Sequence, residues 1–244
     1  QEANTDDLNA MMKATEICVG LYKNGKWAVE QLTDNSVTDM APVVATNGSR
    51  AVVVWRRMAS TTTQDTAFMN FDAQNALLYR IYDGQKWSEE QVLYNGTMGA
   101  VKGLNAAMDQ AGNTVVTYTV DTASYIGQEA PEVQLTAEEG GSKTFEIAYA
   151  VISADEGRAG ATVRLTNDSN LDENPQITTV TLDGEERFLL GWHSQSLDAD
   201  AGTEVSDIQM RVVNPDGSLY GNFVDNLRQV QNGGGVSIGN AFKF

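Results

Sequence analysis

The side chains best equipped for chemistry stand beside aromatic rings: Trp55-Arg56-Arg57, Tyr118 and Trp192-His193. A guanidinium can hold a carboxylate through two parallel hydrogen bonds. An indole or phenol ring next to polar groups can stack on a sugar or anchor a protein partner. These six residues are therefore the candidate ligand-binding set. A second reading stays open beside it. Trp55, Tyr118 and Trp192 also fit as equivalent core residues, with Arg56 and Arg57 paired to nearby acids. His193 is the only histidine, so no histidine cluster can hold a metal. No spacing identifies a serine and an acid that would complete a triad with it.

Carboxylates supply the other candidates. Asp198, Asp200 and Asp207, with Glu204 among them, alternate along one polar stretch. That pattern suits the hard-oxygen preference of calcium, although it does not follow the EF-hand loop. No cofactor is expected, with calcium at Asp198, Asp200 and Asp207 as the open alternative to plain solvated acids. Asp39, Asp172 and Glu173 are the acids that a glycoside hydrolase reading would use, provided two of them lie about 5 to 10 Å apart across a pocket. The acids Glu129, Glu132, Glu138 and Glu139 read as a solvated segment. Gly233-Gly234-Gly235 precedes a strand pattern rather than opening a helix, so it is no phosphate cradle. Cys18 is the only cysteine. An intrachain disulfide is excluded, and the thiol is expected to be a small buried side chain in a strand.

The composition sets limits on partners. The 244 residues are 41% hydrophobic, which is enough for a packed core, and the formal net charge is −17. A field of that sign repels phosphate backbones and anionic lipid, so neither nucleic acid nor membrane insertion is expected. No apolar run approaches the roughly 18 residues of a spanning helix. The acidic surface suits an exported protein, extracellular or on the cell surface.

The elements that must position these groups are short strands. Pro42-Val-Val-Ala-Thr46, Asn47-Gly48 and Ala51-Val-Val-Val-Trp55 form one hairpin, and Leu78-Tyr-Arg-Ile-Tyr82, Asp83-Gly84 and the stretch from Trp87 to Leu93 form another. Asn-Gly and Asp-Gly between apolar runs are strong hairpin signals. Naming the four strands A to D, the A–B turns fall at Gly48, Gly112 and Gly184. The C–D turns fall at Gly25, Gly84, Gly157 and Gly217. Each series recurs at about 60 to 75 residues. Four short strands per period predict a β-propeller of antiparallel blades. Strands that are apolar almost throughout, as at Phe188-Leu-Leu-Gly-Trp192, predict burial on both faces. The rival fold, a β-sandwich, would alternate in and out. Residues 1–16 read as a lead-in. Residues 17–244 read as about three to four blades, either closing as a small ring or belonging to a larger propeller whose further blades are partners. The connections from B to C are expected to be long loops, at 56–75, 121–143 and 193–207, and to gather on one functional face.

The C–D turns resemble the Asp-box of sialidase-like propellers, Ser-x-Asp-x-Gly-x-x-Trp. Ser153-Ala-Asp155-Glu-Gly157 carries its first five positions, with Gly160 at the Trp position. Asp83-Gly84-Gln-Lys-Trp87, Asn24-Gly25-Lys-Trp27 and Asp216-Gly217-Ser-Leu-Tyr220 keep the turn and the aromatic at other spacings. The resemblance implies the propeller architecture, with the boxes in a structural role. Catalytic sialidases of that family also need an arginine triad, a Tyr/Glu pair and an Asp acid. Tyr79-Arg80-Ile81-Tyr82 echoes their Arg-Ile-Pro, but Tyr82 replaces the proline, and no Tyr/Glu pair is assignable. The expected function is therefore a non-catalytic exported propeller segment that binds a glycan or protein, as in adhesion, or serves as a surface scaffold through its B–C face. On this reading, replacing Arg56 and Arg57 with Ala weakens binding without unfolding the domain. The alternative is part of a sialidase-like glycoside hydrolase.

Overall fold

The computed structural model describes residues 14–58, 75–96, 99–122, 145–198 and 203–221. Among them are thirteen β-strands and no helix. They form four antiparallel sheets in chain order. β1(Cys18–Lys23) and β2(Lys26–Gln31) make a hairpin. β3(Thr38–Thr46), β4(Ala51–Met58), β5(Asn75–Tyr82) and β6(Gln91–Tyr94) make a four-stranded sheet. β7(Ala100–Met108), β8(Thr114–Asp121), β9(Phe145–Ile152) and the two-residue β10(Val163–Arg164) make the next. β11(Leu171–Leu182), β12(Glu185–Asp198) and β13(Thr203–Val213) make the last, and a bridge from Val213 to Leu219 stands where a fourth strand would lie.

Turn chemistry sets the hairpins. Asn24 and Gly25 both take positive φ, the conformation that a two-residue loop between twisted strands needs. Asp83 Oδ1 accepts the backbone N–H groups of Gln85 and Lys86, each at 2.8 Å. Those bonds hold the exposed Asp83 carboxyl below its ordinary pKa. Trp87 then bridges back to Tyr82 and packs its ring 5.1 Å from the tyrosine. The turn thus combines an acid cap, a glycine at positive φ and a packed aromatic.

Successive sheets share their cores. Ile17 and Leu32, flanking the hairpin, pack on Val53, Trp55 and Leu78. The other face of that sheet, with Val52, Val54, Leu77 and Tyr79, meets Val116, Tyr118, Ala148 and Ala150 of the next. Val115 and Tyr149, on the far side, meet Ile177, Phe188 and Leu190. β8 is accordingly buried along its whole length, its threonines and Asp121 included. First strands also touch in sequence, β3 against β7 and β7 against β11. Tyrosines on the third strands tie each sheet to the next: Tyr79 Oη accepts the N–H of Ala159 at 2.8 Å, and Tyr149 Oη donates to Gly217 O at 2.8 Å.

Three expectations need correction. The segment 193–207 is not a long loop: β12 continues to Asp198 and β13 begins at Thr203, so only 199–202 lie between them. Its polar composition is one that a ladder shares with a loop. The apolar stretch Leu104-Asn-Ala-Ala-Met108 reads as the whole strand in the sequence, but β7 already begins at Ala100, before the bulge that interrupts it. Cys18 is exposed, because Ile17 and Val19 take the inward positions and leave Cys18, Gly20 and Tyr22 on the outer face. The segments 1–13, 123–144 and 222–244, which hold most of the expected lead-in, the acidic stretch and the final strand pattern, lie outside the described residues.

Candidate functional site

The first strand of each four-stranded sheet, and of the last sheet, carries a bulge facing an aromatic of the second strand. In β3 the register slips between Met40 and Val43, opposite Trp55. In β7 it slips between Lys102 and Leu104, next to Tyr118. In β11 it slips between Glu173 and Gln176, opposite Trp192. The slipped residues Ala41, Gly103 and Asn174 all have positive φ. Pro42 and Pro175 follow two of them, where the ladder is interrupted and a missing N–H does no harm.

Asp39 stands three residues before Pro42, and Asp172 three before Pro175. Each receives an indole N–H: Trp55 Nε1 donates to Asp39 Oδ1 at 3.0 Å, and Trp192 Nε1 donates to Asp172 Oδ1 at 3.2 Å. Both acids are buried. In the middle sheet Val101 stands in the acid's place, and Tyr118 Oη shares a 2.7 Å hydrogen bond with Thr162 Oγ1. Burial holds that phenol above its ordinary pKa. Trp55 and Tyr118 are fully enclosed and Trp192 is nearly so. Their rings therefore present no face to a sugar, and the structure places all three in the core between sheets.

Arg57 is held by two acids. Its Nε and Nη2 donate to Asp39 at 2.7 and 2.8 Å, and its Nη1 and Nη2 donate to Glu90 at 2.6 and 2.8 Å. The Asp39 bond, with help from Glu90, raises the guanidinium pKa against the opposing effect of burial. Arg56 points the other way. Its Nη1 donates to Val101 O at 3.0 Å, across to the next sheet. There it lines a cleft of about 200 Å³ together with Pro42, Val43, Lys102, Gly103 and Leu104. Lys102 Nζ lies 3.3 Å from Asp121 and 4.1 Å over the Phe145 ring. A larger depression, about 510 Å³, lies at the opposite end and is lined by turn residues such as Gly48, Ser49, Asp83 and Gly84.

The remaining candidates are dispersed. His193 Nδ1 is 3.8 Å from Glu173 Oε1. Asp207 is exposed on β13, with Oδ1 accepting the Ile208 N–H and Oδ2 accepting from Gln209. Asp198 ends β12 with its side chain outside the description, and Asp200 lies outside the described residues. A different acidic group is assembled: Glu146, Asp168 and Asp172 bring carboxylate oxygens within 4.8 Å of one another.

The sequence carries signals for these partners in its repeats and spacings. Tyr22, Trp27, Glu30 and Gln31 recur at one constant offset as Tyr82, Trp87, Glu90 and Gln91, which marks Glu90 as part of a repeated unit. Asp-x-x-Pro occurs at both Asp39 and Asp172. Asp168-x-Asn170-x-Asp172 alternates oxygen side chains. No family model matches the chain, and no curated protein matches it.

Proposed function

We propose that the chain is a non-catalytic, exported segment of a sialidase-like β-propeller, and that it binds a glycan or a protein at the end where second and third strands are joined. Four sheets stacked in succession, where a sandwich has two layers, support the propeller reading, as do the first strands touching in sequence. The observation that carries the binding reading is the cleft at the first-strand bulges. Arg56 and Lys102 line it in a chain of net charge −17. A guanidinium and an ammonium beside a proline ring offer an anionic group charge, donors and an apolar wall. An acidic sugar, or a carboxylate on a protein, has that chemistry. The scaffold reading is favoured over a hydrolase because Asp39 and Asp172 each hold an indole, and Asp39 also holds Arg57.

The test is a glycan array probed with the wild-type chain and with Arg56→Gln, both checked for folding by circular dichroism. Acidic glycans should be retained by the wild type and lost by the variant. Cleavage of sialosides that disappears in Asp172→Asn would overturn the proposal in favour of the hydrolase.

A further inference from the structure

We infer that Glu146, Asp168 and Asp172 form a calcium site between the second and third four-strand units. The three acids come from separate places. Glu146 is the second residue of β9, Asp168 lies in the connection from β10 to β11, and Asp172 is the second residue of β11. Glu146 and Asp172 are 2% and 1% exposed, while Asp168 is at the surface. The group is thus buried at its base and open on one side, which gives an ion a way in.

Glu146 is already well tethered. Arg164 Nη2 donates to its Oε1 at 3.1 Å, Thr166 Oγ1 to its Oε2 at 2.6 Å, and the Asp168 N–H to Oε1 at 3.2 Å. Among the described residues, one guanidinium meets three carboxylates, which leaves two negative charges uncompensated there. Asp172 is where the deficit is sharpest. Its Oδ1 accepts the Trp192 indole N–H. The Ser194 and Thr166 hydroxyls act on this carboxylate as hydrogen-bond donors that lower its pKa, yet its Oδ2 is buried without a partner of good hydrogen-bond geometry. A buried carboxylate oxygen left in that condition is costly unless something satisfies it. Burial holds Glu146 and Asp172 above their ordinary pKa values against the hydrogen bonds they accept, with a smaller push from the neighbouring acid.

The donor set selects the ion. All three side chains are carboxylates, with no imidazole or thiolate among them, which excludes the usual zinc set and suits a hard cation. Oxygens on opposite sides of calcium stand about 4.6 to 5.2 Å apart, twice the usual Ca–O distance. Carboxylate oxygens of all three acids lie within 4.8 Å of one another, near enough to share one cation. The chain path agrees. Asp168, Asn170 and Asp172 alternate, and Asp168 Oδ1 accepts the Asn170 N–H at 2.7 Å, curling the segment around its own oxygens. Glu146 supplies from β9 the acid that helix-borne calcium loops supply from downstream. This site is separate from the alternating acids at 198–207.

Trp192 makes the test direct, because its indole touches Asp172 and can pass excitation to a bound terbium ion. Chelator-treated protein should show terbium emission when indole is excited, and calcium should displace it far better than magnesium. Asp172→Asn and Asp168→Asn should each lower the affinity at least about tenfold, whereas Asp207→Asn should bind as the wild type does. Asp168 is exposed, so its variant remains decisive if Asp172→Asn fails to fold. Unchanged terbium and calcium binding in Asp168→Asn, or displacement by magnesium as effective as by calcium, would overturn the inference.

Discussion

Trp55 donates its indole N–H to Asp39 from a fully enclosed position, and Asp39 in turn holds Arg57. The pair joins the start of the first strand to the second strand on the far side of the bulge. A residue that the sequence offers as a sugar platform is therefore a clamp. Asp172 and Trp192 repeat the arrangement in the last sheet.

Arg57→Ala should unfold more easily than Arg56→Ala. Removing Arg57 strips Asp39 of its ion pair while Asp39 stays buried, and orphaning a buried charge in this way costs about 3 kcal/mol. Arg56→Ala loses the bond to the Val101 carbonyl and weaker ones to the Met40 and Met58 sulfurs, leaves no buried charge behind, and should cost about 1 kcal/mol. Urea unfolding of both variants measures the difference. Equal midpoints would mean that Asp39 is not held as described.

The two tyrosine ties should differ in strength. Tyr149→Phe leaves the Gly217 carbonyl without its phenol donor and should cost about 1 kcal/mol. Tyr79→Phe also strands the Ala159 N–H and the Gln91 amide oxygen, which Tyr79 Oη serves together. It should cost closer to 2 kcal/mol. Thermal unfolding of the two single variants tests the order.

Metal-free protein should gain stability from the acidic cluster as the pH falls below neutral. Glu146 and Asp172 have raised folded-state pKa values. The folded state therefore binds protons before the unfolded state does, and stability decreases as pH rises through that window. Asp83 and Asp216, whose pKa values are lowered, act in the opposite sense but are exposed. The readout is the difference between wild type and Glu146→Gln in denaturant midpoint across acidic to neutral pH, in chelator. The wild type should gain relative to the variant as acid is added, and calcium should flatten the curve.

Gly99→Ala should prevent folding or cost about 4 kcal/mol or more. A Cβ there would sit 2.1 Å from the Asp121 carbonyl oxygen, at a φ of +128°. Gly25→Ala also meets positive φ but open space, and should cost about 1 kcal/mol. Circular dichroism and soluble yield separate the two.

The all-β character and the order of the sheets were legible because Asn24-Gly25, Asp83-Gly84 and their counterparts mark hairpins by local chemistry alone. Burial on both strand faces was legible in Val52-Val53-Val54. The fate of the charged residues was not. Arg57 finds Asp39 across one strand pair and Glu90 two strands further on, and nothing local to Trp55-Arg56-Arg57 encodes that meeting. The Glu146 cluster joins positions from two sheets, so its geometry exists only after packing. The stretch 193–207 was misread because a polar ladder and a polar loop share one composition.

The contrast between Trp27 and Trp55 gives the molecule a built-in optical ruler. Trp27 lies over Gly20 on the outer face of the first hairpin, 72% exposed, while Trp55 is sealed. A collisional quencher such as acrylamide reaches Trp27 at once and Trp55 only when the sheets part. The quencher-protected part of the intrinsic fluorescence should therefore report opening of the stacked interior, without any added label.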